Sequence, residues 1–265
     1  MLATPCDTCA ARTHSFCGIL TKDELSHLNS MSRRKRFRAG QVIVDEEQQT
    51  EYVANIISGV VKLTKTLVDG RQLIVGLQFS RDFLGQPLGG ESGFRAEAAT
   101  EVELCAFTMV RFERLMRELP GIEHRLFQQT LNALDVARAW MVVLGRKTAT
   151  EKVASFLDLL ASRISNAPCS GSPSVRFELP LTRAEIADCL GLTIETVSRA
   201  MTRLKVMGLI VLVSNRTIVV PSKRALRAVS ECFLLPKSNA NMRTHCATHD
   251  HPENSALRRT LAPVG

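Results

Sequence analysis

The sequence predicts an α+β chain in which an antiparallel β jelly roll is followed by one long helix and then by a winged helix-turn-helix. Three observations predict it. Short Val- and Ile-rich runs separated by turn residues fill Gly40 to Phe107. From Arg111 the apolar residues switch to helical spacing, interrupted briefly at Pro120-Gly121. From Thr182 two short capped helices, joined at a glycine, lead into a hairpin pattern.

The β region is read from five runs: Val42–Val44, Val53–Ile57, Val60–Leu63, Leu73–Leu77 and Val102–Ala106. Ser58-Gly59 and Asp69-Gly70 mark turns between them. Ahead of these runs, Thr21 to Arg38 reads as a short amphipathic segment. It ends in Arg33-Arg34-Lys35-Arg36, expected to be a solvated face rather than a DNA contact. After the long helix, Glu151 to Ile164 reads as another helix, Asn166–Pro173 as a loop, and Val175–Leu179 as a strand. The expected organisation is a cysteine-bearing segment over 1–20, a β roll over 21–118, the long helix over 119–148 and the winged helix over 149–235. A tail over 236–265 is rich in Ser, Asn, Thr, His and Pro and is expected to be disordered.

Lys and Arg number 34 against 26 Asp and Glu in the 265 residues, a net charge of +8. That excess favours a polyanionic partner. No apolar run approaches the ~20 residues that cross a bilayer, and the N-terminus lacks a signal-peptide pattern, so no membrane association and a cytoplasmic location are expected. Neither a dinucleotide-binding glycine fingerprint nor a phosphate-binding loop is present, and no nucleophile–base pair stands out. An enzyme is not expected.

Within the long helix, Phe127, Leu134, Met141 and Thr148 recur every seventh residue, with Thr130, Ala137 and Leu144 interleaved. Two such rows make a coiled-coil seam, which predicts a homodimer. Leu131 and Val142 form a further apolar row, expected to pack within the chain.

Thr182 and Glu185 form a capping box, Gly191 fits a left-handed helix end, and Thr193 caps the next helix. In that second helix Ile194, Val197, Met201 and Leu204 fall on one arc, expected to face inward. Glu195, Ser198, Arg199 and Thr202 fall on the other. Such a helix presents its N-terminal residues to base edges in the major groove of double-stranded DNA. Arg199 suits guanine, Glu195 the cytosine amino group, and Ser198 either edge. Glu195 and Arg199, one turn apart, are expected to orient each other. Leu209–Val213 and Thr217–Val220, turning at Ser214-Asn215-Arg216, form the wing. Phosphate contacts are expected from Thr193, Thr196, Arg203 and Arg216, with Lys205, Lys223 and Arg224 nearby.

Cys6, Cys9 and Cys17 place three thiols in one short stretch. Zinc sites commonly pair two Cys-x-x-Cys units, and iron–sulfur clusters take four cysteines, so a distant fourth ligand is required. Cys189 sits among core residues, Cys169 in a loop, and Cys232 and Cys246 late in the chain. Cys105 alternates with core-facing Leu104 and Ala106 and should point off the opposite sheet face, able to meet a docking N-terminal arm. The alternative for Cys105 is a small buried apolar residue.

The order of β domain, long helix and winged helix resembles the CRP/FNR superfamily of bacterial transcription regulators over Thr21 to Leu235. Gly191-Leu192-Thr193-Ile194-Glu195-Thr196-Val197-Ser198-Arg199 and Cys-x2-Cys-x7-Cys look like the branch named for the fumarate and nitrate reduction regulator, which includes FnrN and FixK-like proteins. Cys105 falls where that branch has its fourth cysteine. The resemblance implies one [4Fe-4S] cluster per subunit on Cys6, Cys9, Cys17 and Cys105, lost when oxygen is present. It also implies a dimer through Phe127, Leu134, Ala137, Met141 and Leu144, a palindrome with TTGAT-like half-sites, and contact with RNA polymerase. The cyclic-AMP branch uses Gly-Glu and Arg-[Ser/Thr] pairs. Here the matching stretches read Gly85-Gln86 and Arg95-Ala96, so no cyclic nucleotide is expected. A thiol, zinc or nitric oxide signal acting on the same DNA-binding chain is the alternative, and an iron–sulfur electron carrier is the reading from another class.

Overall fold

A computed structural model describes residues 6, 9, 11, 12, 15–87, 89–164 and 174–230. The expected loop Asn166–Pro173, the tail over 236–265, and Cys169, Cys232 and Cys246 lie outside the described residues.

A 3-10 turn, Phe16–Ile19, leads into helix α1, Lys22–Met31. Thr21 caps α1 and Glu24 reaches back to the cap, the reciprocal arrangement that satisfies free N–H groups at a helix start. Eight strands follow: β1 Arg33–Phe37, β2 Val42–Val44, β3 Tyr52–Ser58, β4 Val60–Thr66, β5 Gln72–Phe79, β6 Phe83–Leu84, β7 Arg95–Ala98 and β8 Val102–Thr108. They form two antiparallel sheets, ordered β1-β8-β3-β6 and β2-β7-β4-β5. The sandwich interior holds Ile43, Ala54, Ile56, Val61, Leu84, Ala98, Val102, Leu104 and Ala106.

The basic run is a solvated face, as expected, with Arg33, Arg34 and Arg36 exposed, and it is also a strand. Arg33 to Phe37 pair with Ala106 to Val102 as an edge strand, and Lys35 stacks over the Tyr52 ring at 3.5 Å. Charged side chains on an edge strand keep it from pairing with other chains.

Gly59 makes the β3–β4 turn at φ +89°. A Cβ there would lie 2.2 Å from the Glu101 carbonyl oxygen. Gly59→Ala is expected to destabilise the chain by more than about 2 kcal/mol, from backbone strain and the clash together. A thermal melt checks it; an unchanged midpoint would contradict this account of the turn.

Helix α2, Met109–Glu118, is followed by α3, Pro120–Arg146, with Pro120 in its first turn. α3 ends two residues short of the expected Thr148. Thr148 instead caps α4, Ala149–Arg163, in a capping box with Glu151. α3 packs on its own chain through Ile122, Leu126 and Val143, near its two ends. Leu131 and Val142, expected to pack inward, are exposed: Leu131 lies in the middle of α3, and Val142 points away from the side on which its neighbour Val143 is buried.

The C-terminal unit comprises β9 Val175–Glu178, α5 Arg183–Leu190, α6 Ile194–Val206, β10 Val211–Leu212, β11 Thr217–Val220 and α7 Lys223–Val229. Its sheet is ordered β10-β11-β9. One apolar core runs from α4, α5 and α6 to Val60, Ile74 and Phe79 of the β domain. Two polar contacts bridge the units beside it. Lys62 lies 2.6 Å from Glu185 and 2.8 Å from Glu97, and Arg163 pairs with Asp82. Desolvation disfavours the Lys62 charge, but the two carboxylates outweigh it and raise its pKa.

Candidate functional site

The candidate nucleic-acid face is built from local signals. Thr182 accepts the Glu185 N–H and Glu185 returns to the Thr182 N–H at 2.8 Å, opening α5. Gly191 closes it at φ +60°, the left-handed geometry that glycine adopts without a Cβ penalty. The Thr193 hydroxyl accepts the Thr196 N–H and opens α6.

Val197, Met201 and Leu204 are buried, as their arc predicts. Ile194 is not. It is 47% exposed at the first turn, where the helix has not yet reached the core. Glu195, Ser198, Arg199, Thr202 and Arg203 are exposed together, and Ser198, Arg199, Thr202, Arg203 and Val206 line a shallow depression along the helix. The Glu195 carboxyl is held below its usual range by its own backbone N–H, then by Thr193, with Arg199 adding a longer-range attraction. Arg199 thus acts on Glu195 at longer range and is not the leading influence on it. The Thr193 and Thr196 hydroxyls bond each other at 3.0 Å.

A second concavity joins the start of α5, α6 and the wing, lined by Thr182, Arg183, Ser198, Thr202, Asn215 and Arg216. The Ser214 hydroxyl accepts the Arg216 and Thr217 N–H groups, so Arg216 sits exposed on a pinned turn. Arg183 was not legible as a site residue. Burial lowers its pKa, and its Nη1 is buried with no hydrogen-bond partner among the described residues. Lys223 and Arg224 open α7, which packs on α4.

The thiol site lies at the far side of the β domain. Phe16 is fully buried and anchors the arm, with ring centroids 5.6 Å from Phe112, 6.0 Å from Phe107 and 6.1 Å from Phe83. Cys17 follows it, its N–H bonded to the Ser15 hydroxyl. Cys6 is buried and its thiol donates to Asn29 Oδ1 at 3.6 Å, while Cys9 is half-buried. On β8, Leu104 and Ala106 enter the sandwich, whereas Cys105 and Phe107 join the cluster under the arm. Burial pushes the Cys17 thiol up to about 12; Ser15 opposes this, while Cys105, Cys6 and Cys9 reinforce it. Burial also raises Cys105, against Ser32 and the Arg34 charge. Among the described residues, no three Cys, His, Asp or Glu side chains converge where a single metal ion could sit. Cys189 lies instead in the helix-turn-helix core.

Residues 34–118 match the cyclic nucleotide-binding domain model, and residues 151–229 match the Crp-like helix-turn-helix domain model. A probable transcriptional activator of Rhizobium leguminosarum bv. viciae is 48% identical over 82% of this chain and 89% of its own. The transcriptional activator protein FnrL of Cereibacter sphaeroides is 38% identical over 81% and 87%. The solved structure of FixK2 from Bradyrhizobium japonicum superposes with a TM-score of 0.67 at 31% identity, covering 75% of this chain and 96% of that one. No helix among the described residues is long and apolar enough to cross a membrane. The β sandwich, long helix and winged helix-turn-helix, with these relatives, place the chain in the CRP/FNR family of DNA-binding transcription regulators, a family of regulators rather than enzymes.

Proposed function

We propose that the chain is a homodimeric transcriptional activator that responds to oxygen through a [4Fe-4S] cluster held by Cys6, Cys9, Cys17 and Cys105. The observation that carries this reading is the meeting of the arm with β8. Three arm thiols and one strand thiol, far apart in sequence, meet at one largely apolar site, where Cys6 and Cys9 lie close enough to add to the raised pKa of Cys17 and Cys105. Four cysteines are the donor set that such a group takes. Iron–sulfur clusters take four thiolates, each on a different corner, so the sulfurs stand wider apart than around one zinc ion. The bound iron supplies the positive charge that thiolates need in a buried site. When bound, the cluster provides the chemistry that oxygen attacks; the chain's part is to hold the arm on Phe16 and keep the site dry.

Protein purified without oxygen is expected to carry about four iron and four sulfide per subunit. Both are expected to be lost in air together with specific DNA binding. A colourless protein, or one holding zinc, would move the signal elsewhere and leave the DNA-binding role standing.

Glu195, Ser198 and Arg199 read bases in this proposal, and Thr193, Thr196, Arg203 and Arg216 contact phosphates of a palindrome with TTGAT-like half-sites. Arg183 joins the phosphate set, since this half-buried cation lines the helix–wing concavity beside Arg216. Arg199→Ala is expected to cost about 1–3 kcal/mol on the specific site and little on random DNA. Arg183→Ala is expected to weaken both alike and to reduce the salt slope by about 1. Titrations of both DNAs at several salt concentrations check this. Equal losses for Arg199→Ala on the two DNAs would contradict base reading.

RNA polymerase is the expected partner at promoters. Cyclic nucleotides are not expected ligands. Ala96 and Ala98 of β7 face the sandwich interior, while Arg95 turns outward toward Asp45 and Glu97.

A further inference from the structure

Asn55 sits in the middle of β3, among Val53, Ala54 and Ile56, and is 2% exposed. A buried amide in an apolar strand is costly unless its groups are paired. Strand alternation explains where it points. Ala54 and Ile56 enter the sandwich, so Asn55 faces the other way with Val53, and its cross-strand neighbour is Cys105. Its Nδ2 donates to the Cys17 sulfur at 3.5 Å, and its Oδ1 has no partner among the described residues. An amide N–H bonds a neutral thiol weakly and a charged thiolate strongly. The contact therefore serves the sulfur best as a metal ligand.

We propose that Asn55 is a positioning residue of the thiol site, its amide N–H orienting Cys17 and stabilising it as a ligand sulfur. This rests on the cluster reading above. Partners outside the ligand set commonly govern how firmly a metal site is held, and hydrogen bonds to sulfur tune iron–sulfur clusters.

The test uses full-length Asn55→Leu and Asn55→Asp, loaded anaerobically with ferrous iron and sulfide. Leu keeps an apolar volume without a donor; Asp keeps the shape and the acceptor but loses the N–H groups. Two quantities are read: the rate of iron release to a ferrous chelator, and the melting midpoint of the metal-free chain. Both variants are expected to release iron about tenfold faster than wild type. Metal-free Asn55→Leu is expected to melt no lower than wild type, because the unpaired buried carbonyl is gone. Wild-type release rates in Asn55→Leu would overturn the proposal. So would faster release from Asn55→Leu alongside a lowered metal-free midpoint, the mark of a purely structural residue. A wild-type chain that takes up no iron and sulfide would sink the cluster reading and this proposal with it. A wild type that loads normally confines any failure to Asn55.

Discussion

Cys105→Ser is expected to reduce the iron content of anaerobically prepared protein from about four per subunit to less than one. The same change at Cys189 is expected to leave it intact. The two residues look alike by burial, and both thiols are raised by it, Cys189 to about 12. They differ in what surrounds them. Cys189 packs with Ile186 and Leu190 inside the helix-turn-helix, where no second thiol lies among the described residues of that core. Cys105 shares its core with Cys6, and Cys17 packs against it. A serine hydroxyl is close in size but is a hard and far weaker ligand than a thiolate. Cys189→Ser places a hydroxyl in an apolar core and is expected to cost about 1–3 kcal/mol of stability without touching iron. Iron analysis beside a thermal melt separates the cases. Full iron in Cys105→Ser, or iron lost only from Cys189→Ser, would overturn the ligand set.

The parts of the fold legible in the sequence are those specified by local chemistry. The α5–Gly191–α6 unit is set by hydrogen bonds within a few residues, and each is present where the capping pattern placed it. The side of β8 that carries Cys105 followed from strand alternation. Elements set by their neighbours were not legible. β1 is four basic residues and a phenylalanine, a strand only because β8 pairs with it. β7, Arg95–Ala98, has no β-branched residue and is held between β2 and β4. Ile194, Leu131 and Val142 follow helical periodicity, but periodicity does not say where the core stops. Asn55 and Arg183 carry no sequence signal, because their interest lies in which buried atom lacks a partner.

The second large effect is expected at α3. The 27-residue helix is about 40 Å long at 1.5 Å per residue, and its middle touches little of its own chain. Phe127 is 60% and Met141 72% exposed, with Leu134, Ala137 and Leu144 exposed between and beyond them. The base of this helix meets the thiol arm. Ile19 lies against Gly121, and Leu20 and Leu25 share a core with Ile122 and Leu126. An ordered arm therefore supports the end of the helix from which the proposed seam starts, which would give a physical route from the thiol site to the proposed dimer. Leu134→Glu tests the seam directly. In a two-fold interface one substitution brings in two carboxylates, which repel each other and must both be desolvated. A penalty of about 3 kcal/mol would raise the dimer Kd more than about a hundredfold. Leu134 is already solvent-facing in the single chain, so the fold and the iron content are expected to survive. Sedimentation at micromolar protein should then show an iron-loaded monomer. Its binding to a full palindrome should fall toward that of one half-site, since two recognition helices one DNA turn apart are needed to span it. An unchanged dimer would place the interface on another face and leave the exposed apolar rows of α3 unexplained.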